Sequence, residues 1–286
     1  MTSDAWPLPV LSPRSSDSHK GDYGRVLIIG GARGMSGAVA LSGQACLRSG
    51  SGLVRLAVSE SSVNSVAAHE ASYMTLPLPE DTCGRIAWRA KAKLARAIEW
   101  STVVACGPGL GQSVDIRRLV AWLYEHVTVP LVVDADGLNA LARSHIDLSR
   151  HAGPRILTPH VGEFRRLTSI DESASREELE AAAVALAKQV GVVIVLKGHR
   201  SLVTDGARVA HNTSGNPGMA TGGTGDVLTG VVAALVGQGM PPADATRLGV
   251  HIHGAAGDLA AQRYGQVSMI ASDLVRCLPD AFRMTR

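Results

Sequence analysis

The chain has 286 residues, a hydrophobic fraction of 45% and a formal net charge of +3. That length and apolar content suffice for one large α/β core, and no apolar run approaches the ~20 residues of a membrane span. The small net charge, the lack of a long basic run and an aromatic content of 3% argue against nucleic-acid binding.

Short apolar runs alternate with helical patterns along the chain. Strands are predicted at Arg25–Gly30, Leu53–Val58, Thr102–Cys106, Pro130–Asp134, Arg155–Leu157 and Val192–Leu196. Helices are predicted at Ser36–Gly50, Ser113–His126, Asp136–Ala142, from Gly162 onward, at Arg176–Val190, at Val227–Val236 and beyond. Two short β runs flank Asp205-Gly206 and predict a hairpin. The alternation predicts an α/β fold, with a mainly parallel central sheet and helices on both faces.

Glycine and polar clusters follow the predicted strands, at Gly30–Gly37, Gly107–Gly111, Asp134–Asn139, Thr158–Glu163, Lys197–Ser201 and Asn212–Asp226. Ligands of open α/β sheets bind beyond the carboxyl ends of the strands, so these clusters are predicted to form one site. There is no P-loop, and the glycines near residue 109 lack dinucleotide-fingerprint spacing. Hydride transfer is therefore not favoured.

The segment Asn212–Asp226 is the most informative one. Five of its residues are glycines, and it leads into a predicted helix. The free N–H groups of a helix N-terminus bind anions, and glycines let backbone approach a phosphate. The backbone of Gly225 is expected to approach the phosphate and to adopt an unusual φ. Asp226 in the first turn is predicted to take a proton from a hydroxyl while the 223–225 N–H groups hold a phosphoryl group. The alternative is that Asp226 only caps the helix.

The four cysteines are scattered, which argues against a zinc site and a disulfide framework. The N-terminus lacks the apolar core of a signal peptide. We therefore expect a cytoplasmic protein, with residues 1–20 as a short arm packed on the surface or on a neighbour, and residues 21–286 as a single domain.

Several motifs together resemble the ribokinase-like superfamily and, within it, the ADP-dependent NAD(P)H-hydrate dehydratases. They are Gly34-Met-Ser-Gly-Ala38, Gly107-Pro-Gly-Leu-Gly111, Val133-Asp-Ala-Asp-Gly-Leu-Asn-Ala-Leu141, Leu157-Thr-Pro-His-Val-Gly-Glu163, Val195-Leu-Lys-Gly198 and Gly215-Asn-Pro-Gly-Met-Ala-Thr-Gly-Gly-Thr-Gly-Asp226. Gly-Thr-Gly-Asp marks the superfamily alone, whereas its longer form with Thr-Pro-His-x-Gly-Glu is more specific. Met35 departs from the pattern, since a Tyr is common there.

The resemblance implies roles for named residues. Catalysis falls to Asp226, Gly223 and Gly225. The substrate is lined by Ala38, Gly109, His160 and Asp226. The adenine nucleotide is held by Lys197, Gly198, His199, Arg200, Ser201 and Gly225, although the family usually has a small residue where His199-Arg200 stands. Metal ligands are not assigned.

The implied reaction is the ADP-dependent dehydration of hydrated NADH or NADPH, in the S form, giving AMP and phosphate. The resemblance also implies Mg²⁺ bridging the ADP phosphates, a homotetramer, and a separate NAD(P)H-hydrate epimerase as functional partner. Two alternatives stay open: a small-molecule kinase of the same superfamily, acting for example on a hydroxyethylthiazole-type alcohol, and a non-catalytic nucleotide-binding regulator. The intact Asp226 argues against the regulator.

Three further positions have competing interpretations. Lys197 could contact phosphate or simply end a strand with a solvated charge. Asp134 could cap a helix or face the site, because it follows a predicted strand. His251-x-His253 has the spacing of a metal pair on a strand, but it falls in a predicted helix, where residues two apart point in different directions.

Overall fold

The computed structural model describes residues 6–285 and contains a nine-stranded sheet between two layers of helices. Its strands are β1 (Arg25–Ile29), β2 (Leu53–Ser59), β3 (Met74–Leu78), β4 (Val103–Cys106), β5 (Leu131–Val133), β6 (Arg155–Leu157), β7 (Val193–Leu196), β8 (Leu202–Thr204) and β9 (Val209–His211). Its helices are α1 (Ser36–Arg48), α2 (Val63–Ala67), α3 (Lys91–Trp100), α4 (Val114–His126), α5 (Asp136–Ser144), α6 (Val161–Thr168), α7 (Arg176–Val190), α8 (Thr224–Gly237), α9 (Pro242–Tyr264) and α10 (Ala271–Met284).

The sheet has the order β3-β2-β1-β4-β5-β6-β7-β8-β9. The strands from β3 to β7 pair in parallel, and the β8–β9 hairpin continues the sheet in antiparallel pairing. The predicted α/β class, mainly parallel sheet and hairpin are confirmed. The predicted elements do not include β3, α2 or α3. Strand β3 lies at the sheet edge and is mostly half-exposed, so it lacks the continuous apolar run of a central strand.

Both faces of the sheet are covered. In β1, Val26 and Ile28 pack into the layer formed by α1, α2, α8, α9 and α10, whereas Leu27 and Ile29 pack into the layer formed by α3 to α7. Successive side chains of a strand point to opposite faces, so a strand covered on both sides must be apolar at every position. This is why the central strands are short continuous apolar runs in the sequence.

The strand order reverses at β1, which lies between β2 and β4. Chain segments leaving β1 and β4 lead to helices on opposite faces of the sheet, and such a switch point leaves a crevice at the carboxyl ends of the strands. Directly after the strands, the two segments are still joined by backbone hydrogen bonds from Gly31 N–H to the Pro108 carbonyl (2.9 Å) and from Ala32 N–H to the Gly109 carbonyl (2.7 Å). A Cβ on Gly30 would lie 2.1 Å from the Pro108 oxygen, so this approach requires glycine.

The described part of the predicted N-terminal arm packs on its own chain. Trp6 is buried, its indole N–H donates to Asp244 Oδ1 at 2.9 Å, and Arg208 lies over its ring. Residues 1–5 of the arm lie outside the described residues, and the boundary at residue 20 stays a prediction. No helix within residues 6–285 is both long enough and apolar enough to cross a membrane.

We predict that the contact between α1 and α8 tolerates no added side chain at Gly230. A Cβ there would lie 2.1 Å from the Ser42 carbonyl oxygen, inside the packed layer. Gly230→Ala should lower the free energy of unfolding by about 3 kcal/mol, measured by urea denaturation, because the backbones of α1 and α8 must move apart to make room for the methyl group.

The matched control is Gly37→Ala, in α1, where an added Cβ meets nothing within 4 Å. It should be neutral, or stabilising by up to about 1 kcal/mol through helix propensity. Equal unfolding midpoints for the two variants would contradict the proposed packing constraint.

Candidate active site

The glycine-rich segment ends in a left-handed turn at Gly223, which has a φ of +92° and is the N-cap of α8. The backbone N–H groups of Thr224, Gly225 and Asp226 find no acceptor within residues 6–285. They lie at the positive end of the helix dipole. The segment therefore has the geometry of the predicted anion site.

The unusual backbone conformation falls at Gly223, so the expectation of an unusual φ at Gly225 is wrong. Gly225 is the second residue of α8 and has ordinary helical backbone. A Cβ on Gly225 would lie 3.4 Å from Lys197 Nζ and 3.6 Å from Asp134 Oδ2. Glycine at this position leaves open space directly above that pair of charges.

Lys197 and Asp134 form an ion pair beneath the glycine turn, in which Asp134 is buried and Lys197 is half-buried. Lys197 Nζ donates to Asp134 Oδ1 at 2.7 Å, and the hydroxyl of Thr229 donates to the other carboxylate oxygen at 2.8 Å. Glu163 Oε2 lies 3.9 Å from the same ammonium. Burial alone would lower the pKa of Lys197, but the charges of Asp134 and Glu163 outweigh it and raise the pKa. Asp134 therefore faces the site, and Lys197 is not a solvated strand end.

Asp226 lies beside this pair and is half-buried. Its carboxylate accepts no hydrogen bond from the described residues, so the structure does not support the alternative that it caps the helix. Burial, and then the negative charge of Asp134, raise its pKa to about 7, while Lys197 offsets part of this shift. A carboxyl group with that pKa is suited to accept a proton near neutral pH.

His160 is the N-cap of α6. Its Nδ1 accepts hydrogen bonds from the Gly162 N–H (3.0 Å) and the Glu163 N–H (3.3 Å), so Nε2 carries the ring proton and faces Glu163 Oε1 at 3.3 Å. The Glu163 carboxylate in turn accepts from the His160 backbone N–H at 2.9 Å. Burial lowers the pKa of His160 and raises that of Glu163. The pair fixes the strand-to-helix turn at the edge of the site.

A cleft of about 500 Å³ opens at the switch point of the sheet. Three of the four predicted substrate residues line it, namely Ala38, Gly109 and Asp226. The fourth, His160, borders it through its partner Glu163, which is part of the wall. Gly109 has a φ of +60°, and a Cβ on it would lie 2.5 Å from the Met35 oxygen. The predicted substrate residues, which are far apart in sequence, are thus brought together.

The predicted nucleotide residues after β7 form an exposed turn. Arg200 is left-handed with a φ of +52°, and the Ser201 hydroxyl donates to the Gly198 carbonyl at 3.1 Å. Arg176 supports the turn from α7 by donating to the Leu196 and Lys197 carbonyls, at 3.2 Å and 3.4 Å. Gly198, His199 and Arg200 are exposed. The structure brings this turn next to Gly225 through Lys197.

No group of three or more His, Cys, Asp or Glu side chains within residues 6–285 has the geometry of a metal site. Asp134 is occupied by Lys197 and Thr229. Asp136 accepts from the Gly111 N–H and from the Gln112 side chain. Glu163 is held by His160. Among the described carboxylates that line the cleft, Asp226 is therefore the one whose oxygens remain available.

Two residues of the site have no role at it in the sequence prediction, Thr229 because it is not named there and His253 because it is considered only as half of a metal pair. Thr229 anchors Asp134, and its signal was its position three residues after Asp226, on the same face of the helix. His253 lies in α9, as predicted, and its Nε2 contacts the Thr224 carbonyl at 2.8 Å. Burial lowers its pKa to about 4, so the neutral ring supports the first turn of α8. Only the packing of α9 on α8 could reveal that role.

Comparisons with known proteins agree with this geometry. The sequence model of one family, described as NAD(P)H-hydrate dehydratase, matches residues 26–280. The chain is 43% identical over 281 residues to the bifunctional NAD(P)H-hydrate repair enzyme of Moorella thermoacetica, covering 98% of this chain and 53% of that one. It therefore spans about half the length of the curated relatives it matches.

Two solved structures illustrate the structural similarity. The ADP/ATP-dependent NAD(P)H-hydrate dehydratase of Bacillus subtilis, co-crystallised with ATP and Mg²⁺, matches with a TM-score of 0.82 and 28% identity, covering 97% of this chain and 95% of that one. Arabidopsis thaliana ribokinase matches with a TM-score of 0.54 and 15% identity, covering 89% and 98%. The second similarity concerns the fold alone and, with the first, confirms the ribokinase-like architecture.

We predict that Asp226 makes stability fall as the pH rises from about 4 to about 7. Its pKa is about 7 in the folded protein and about 3.9 in an unfolded chain, so the folded state holds a proton that the unfolded state releases. Asp226→Asn cannot ionise. Its stability relative to wild type should therefore be greater at about pH 8 than at about pH 5, by on the order of 1–3 kcal/mol in urea unfolding.

Asp147→Asn is a suitable control, because hydrogen bonds from Ser149 lower the pKa of that exposed carboxyl. Both states of Asp147 are ionised between these pH values, so its effect should not vary with pH. If the effect of Asp226→Asn were equally independent of pH, the raised pKa would be wrong.

Proposed function

The chain belongs to the NAD(P)H-hydrate dehydratase family, and on this basis we propose that it dehydrates hydrated NADH and NADPH, in the S form, with ADP as phosphoryl donor. AMP and phosphate are the other products. The observation that carries the proposal is Asp226, a carboxyl with a pKa of about 7 beside three free helix N–H groups, in a cleft at the switch point. This arrangement provides a base and an anion site side by side.

The chemistry follows from what these groups can do. Hydroxide is a poor leaving group, whereas phosphate leaves readily. Asp226 takes the proton of the C6 hydroxyl while the hydroxyl oxygen attacks the terminal phosphorus of ADP. The bond between that phosphorus and the oxygen of AMP breaks, and AMP leaves. The free N–H groups of Thr224, Gly225 and Asp226, one residue further along than the 223–225 expected from the sequence, stabilise the charge on the transferring phosphoryl group. The lone pair of the ring nitrogen then expels phosphate from C6, and the C5 proton passes to water, so that the C5–C6 double bond is restored.

We assign the substrate side of the cleft to Ala38, Gly109, His160 and Asp226. The support is that three of them line the cleft and that His160 borders it through Glu163. The close approach of backbone at Gly109 to the Met35 oxygen leaves no room for a side chain at this part of the cleft. The neutral His160 presents a partly exposed ring at the rim, where it can contact the substrate without adding charge.

We assign the nucleotide to the opposite side, at Lys197, Gly198, His199, Arg200, Ser201 and Gly225. Because the Lys197 ammonium is held by Asp134, it contributes positive potential below the turn and does not reach out to grip a phosphate. Because no group of three or more His, Cys, Asp or Glu side chains among the described residues could hold a metal ion, Mg²⁺ is proposed as an ion carried on the nucleotide phosphates, and its protein ligands stay unassigned. When bound, Mg²⁺ would neutralise charge on those phosphates.

We further propose a cytoplasmic homotetramer in which residues 21–286 form one domain, with epimerisation of the hydrated dinucleotide supplied by a separate epimerase. Family resemblance supports these points. Size-exclusion chromatography with light scattering tests the assembly.

We predict that Asp226→Asn keeps the shape of the site and loses the base. Turnover should fall by about 10²-fold or more, while ADP affinity changes little. The assay follows the return of NADH absorbance from hydrated NADH in the presence of ADP. Wild-type turnover should rise with pH through about 7, since only the ionised carboxylate accepts the proton.

The control variant is Asp171→Asn, an exposed carboxylate whose partner is Ser173. It should keep wild-type turnover. Comparable turnover in Asp226→Asn and Asp171→Asn would remove Asp226 from the mechanism.

We also predict that ADP is a better donor than ATP by at least tenfold, about 1.4 kcal/mol at the transition state. The β-phosphoryl of ADP must lie beside Asp226, within attack distance of the acceptor oxygen. ATP held by the same adenosine contacts would extend one phosphate further, into the space for the nicotinamide. Chromatography separates AMP from ADP as products. Faster turnover with ATP, with ADP accumulating, would overturn the donor assignment and leave the dehydration standing.

A further inference from the structure

One arginine at the cleft rim has no carboxylate partner. Arg166 is exposed, and its Nε donates to Asn139 Oδ1 at 2.9 Å. Within residues 6–285, no Asp or Glu forms an ion pair with its guanidinium. Its remaining N–H groups are therefore available as donors to an anion.

Arg166 lies on the side of α6 that faces the cleft. It follows Glu163 by three residues, and such residues are neighbours on one helix face, about 5–6 Å apart at Cβ. Glu163 and Asn139 both line the cleft. The charge of Arg166 also acts inside the site: burial raises the pKa of Glu163 and lowers that of His160, and the guanidinium lowers both.

The electrostatics of the cleft call for such a cation. Its surroundings hold four acids, Asp134, Asp136, Glu163 and Asp226, and the one lysine among them is paired with Asp134. A hydrated dinucleotide carries at least two negative charges on its pyrophosphate. Acidic walls do not stabilise these charges, and the free N–H groups of α8 are assigned to the phosphoryl group of ADP, so a cationic donor at the rim is well suited to meet them.

We propose that Arg166 binds a phosphate of the hydrated dinucleotide, with Asn139 fixing the orientation of its guanidinium. This inference rests on the proposed function and extends it to a substrate-binding residue. The planar guanidinium has parallel N–H groups that match two phosphate oxygens, and the bond from Nε to Asn139 leaves the outer N–H groups free. The pyrophosphate is the nearer of the two candidate sources, because the nicotinamide lies beside Asp226 and the 2′-phosphate is at the far end of the molecule.

The test measures equilibrium binding, so it does not depend on turnover. NADH and NADPH, the stable products, are titrated into the protein and their fluorescence is followed. Arg166→Gln should weaken binding about 10-fold or more, the range for a charge-assisted hydrogen bond. Arg166→Lys should recover part of the loss, because it keeps the charge and loses the fork. ADP affinity should not change, because the nucleotide lies on the other side of Asp226.

The neighbouring Arg165 provides the matched control. Its Nη2 donates to the Ala174 carbonyl at 3.1 Å, in the loop before α7, so it does not face the dinucleotide. Arg165→Gln should bind NADH and NADPH as the wild type does. Asn139→Ala should weaken binding less than Arg166→Gln, and the double variant should be no weaker than Arg166→Gln alone, because Asn139 acts through Arg166.

The outcomes separate cleanly. A loss shared by NADH and NADPH assigns the contact to the pyrophosphate, and a loss confined to NADPH assigns it to the 2′-phosphate; both support a phosphate-binding arginine. Equal affinities for Arg166→Gln and Arg165→Gln, with a wild type that binds, would overturn this inference and leave the proposed function intact. A wild type that binds neither dinucleotide would overturn both.

Discussion

The ion pair between Lys197 and Asp134 is the interaction on which the rest of the site depends. It joins the carboxyl ends of β7 and β5, and through Thr229 it also ties α8 to the sheet. Removing one partner of such a pair leaves an uncompensated charge in a buried place, which costs several kcal/mol. Strands β5 and β7 and helix α8, which meet near Asp226, are thus held in one arrangement by Lys197, Asp134 and Thr229. Each of these groups would be unfavourable at its position without the others.

The same pair also affects the pKa of Asp226. Burial raises this pKa most, the negative charge of Asp134 raises it further, and Lys197 offsets part of the shift. A carboxylate that accepts no hydrogen bond from the described residues is costly to bury, and this cost is the usual sign of a group kept for function. Burying the ionised Asp226 lowers the stability of the folded protein. The same unfavourable burial raises the pKa of Asp226, which is why this carboxylate can accept a proton near neutral pH.

In the proposed function, two anionic ligands bind in an acidic cleft, which is electrostatically unfavourable unless hydrogen-bond donors meet their phosphates. In the proposed binding mode, the free N–H groups of α8 bind phosphate beside Asp226, whereas the exposed turn after β7 and Arg166 provide donors further from it. The proposed binding mode assigns the dinucleotide phosphate to Arg166, and the phosphates of the adenine nucleotide to the start of α8 and the turn after β7.

Much of this protein can be predicted from its sequence. Apolar runs alternating with helical periods determine the α/β class, glycine and polar clusters mark the strand ends, and the turn before Asp226 indicates an anion site. These are short-range patterns, and the residues that express them are neighbours along the chain. Strand β3 was not predicted because this half-exposed edge strand lacks the continuous apolar run of a central strand. Only the tertiary structure decided that Lys197 pairs with Asp134, and that the left-handed turn falls at Gly223 and not at Gly225. It also decided which of two neighbouring arginines borders the cleft, Arg166 and not Arg165. The physical reason is that charge interactions and steric limits depend on distances between segments far apart in the chain, and those distances exist only once the helices have packed on the sheet.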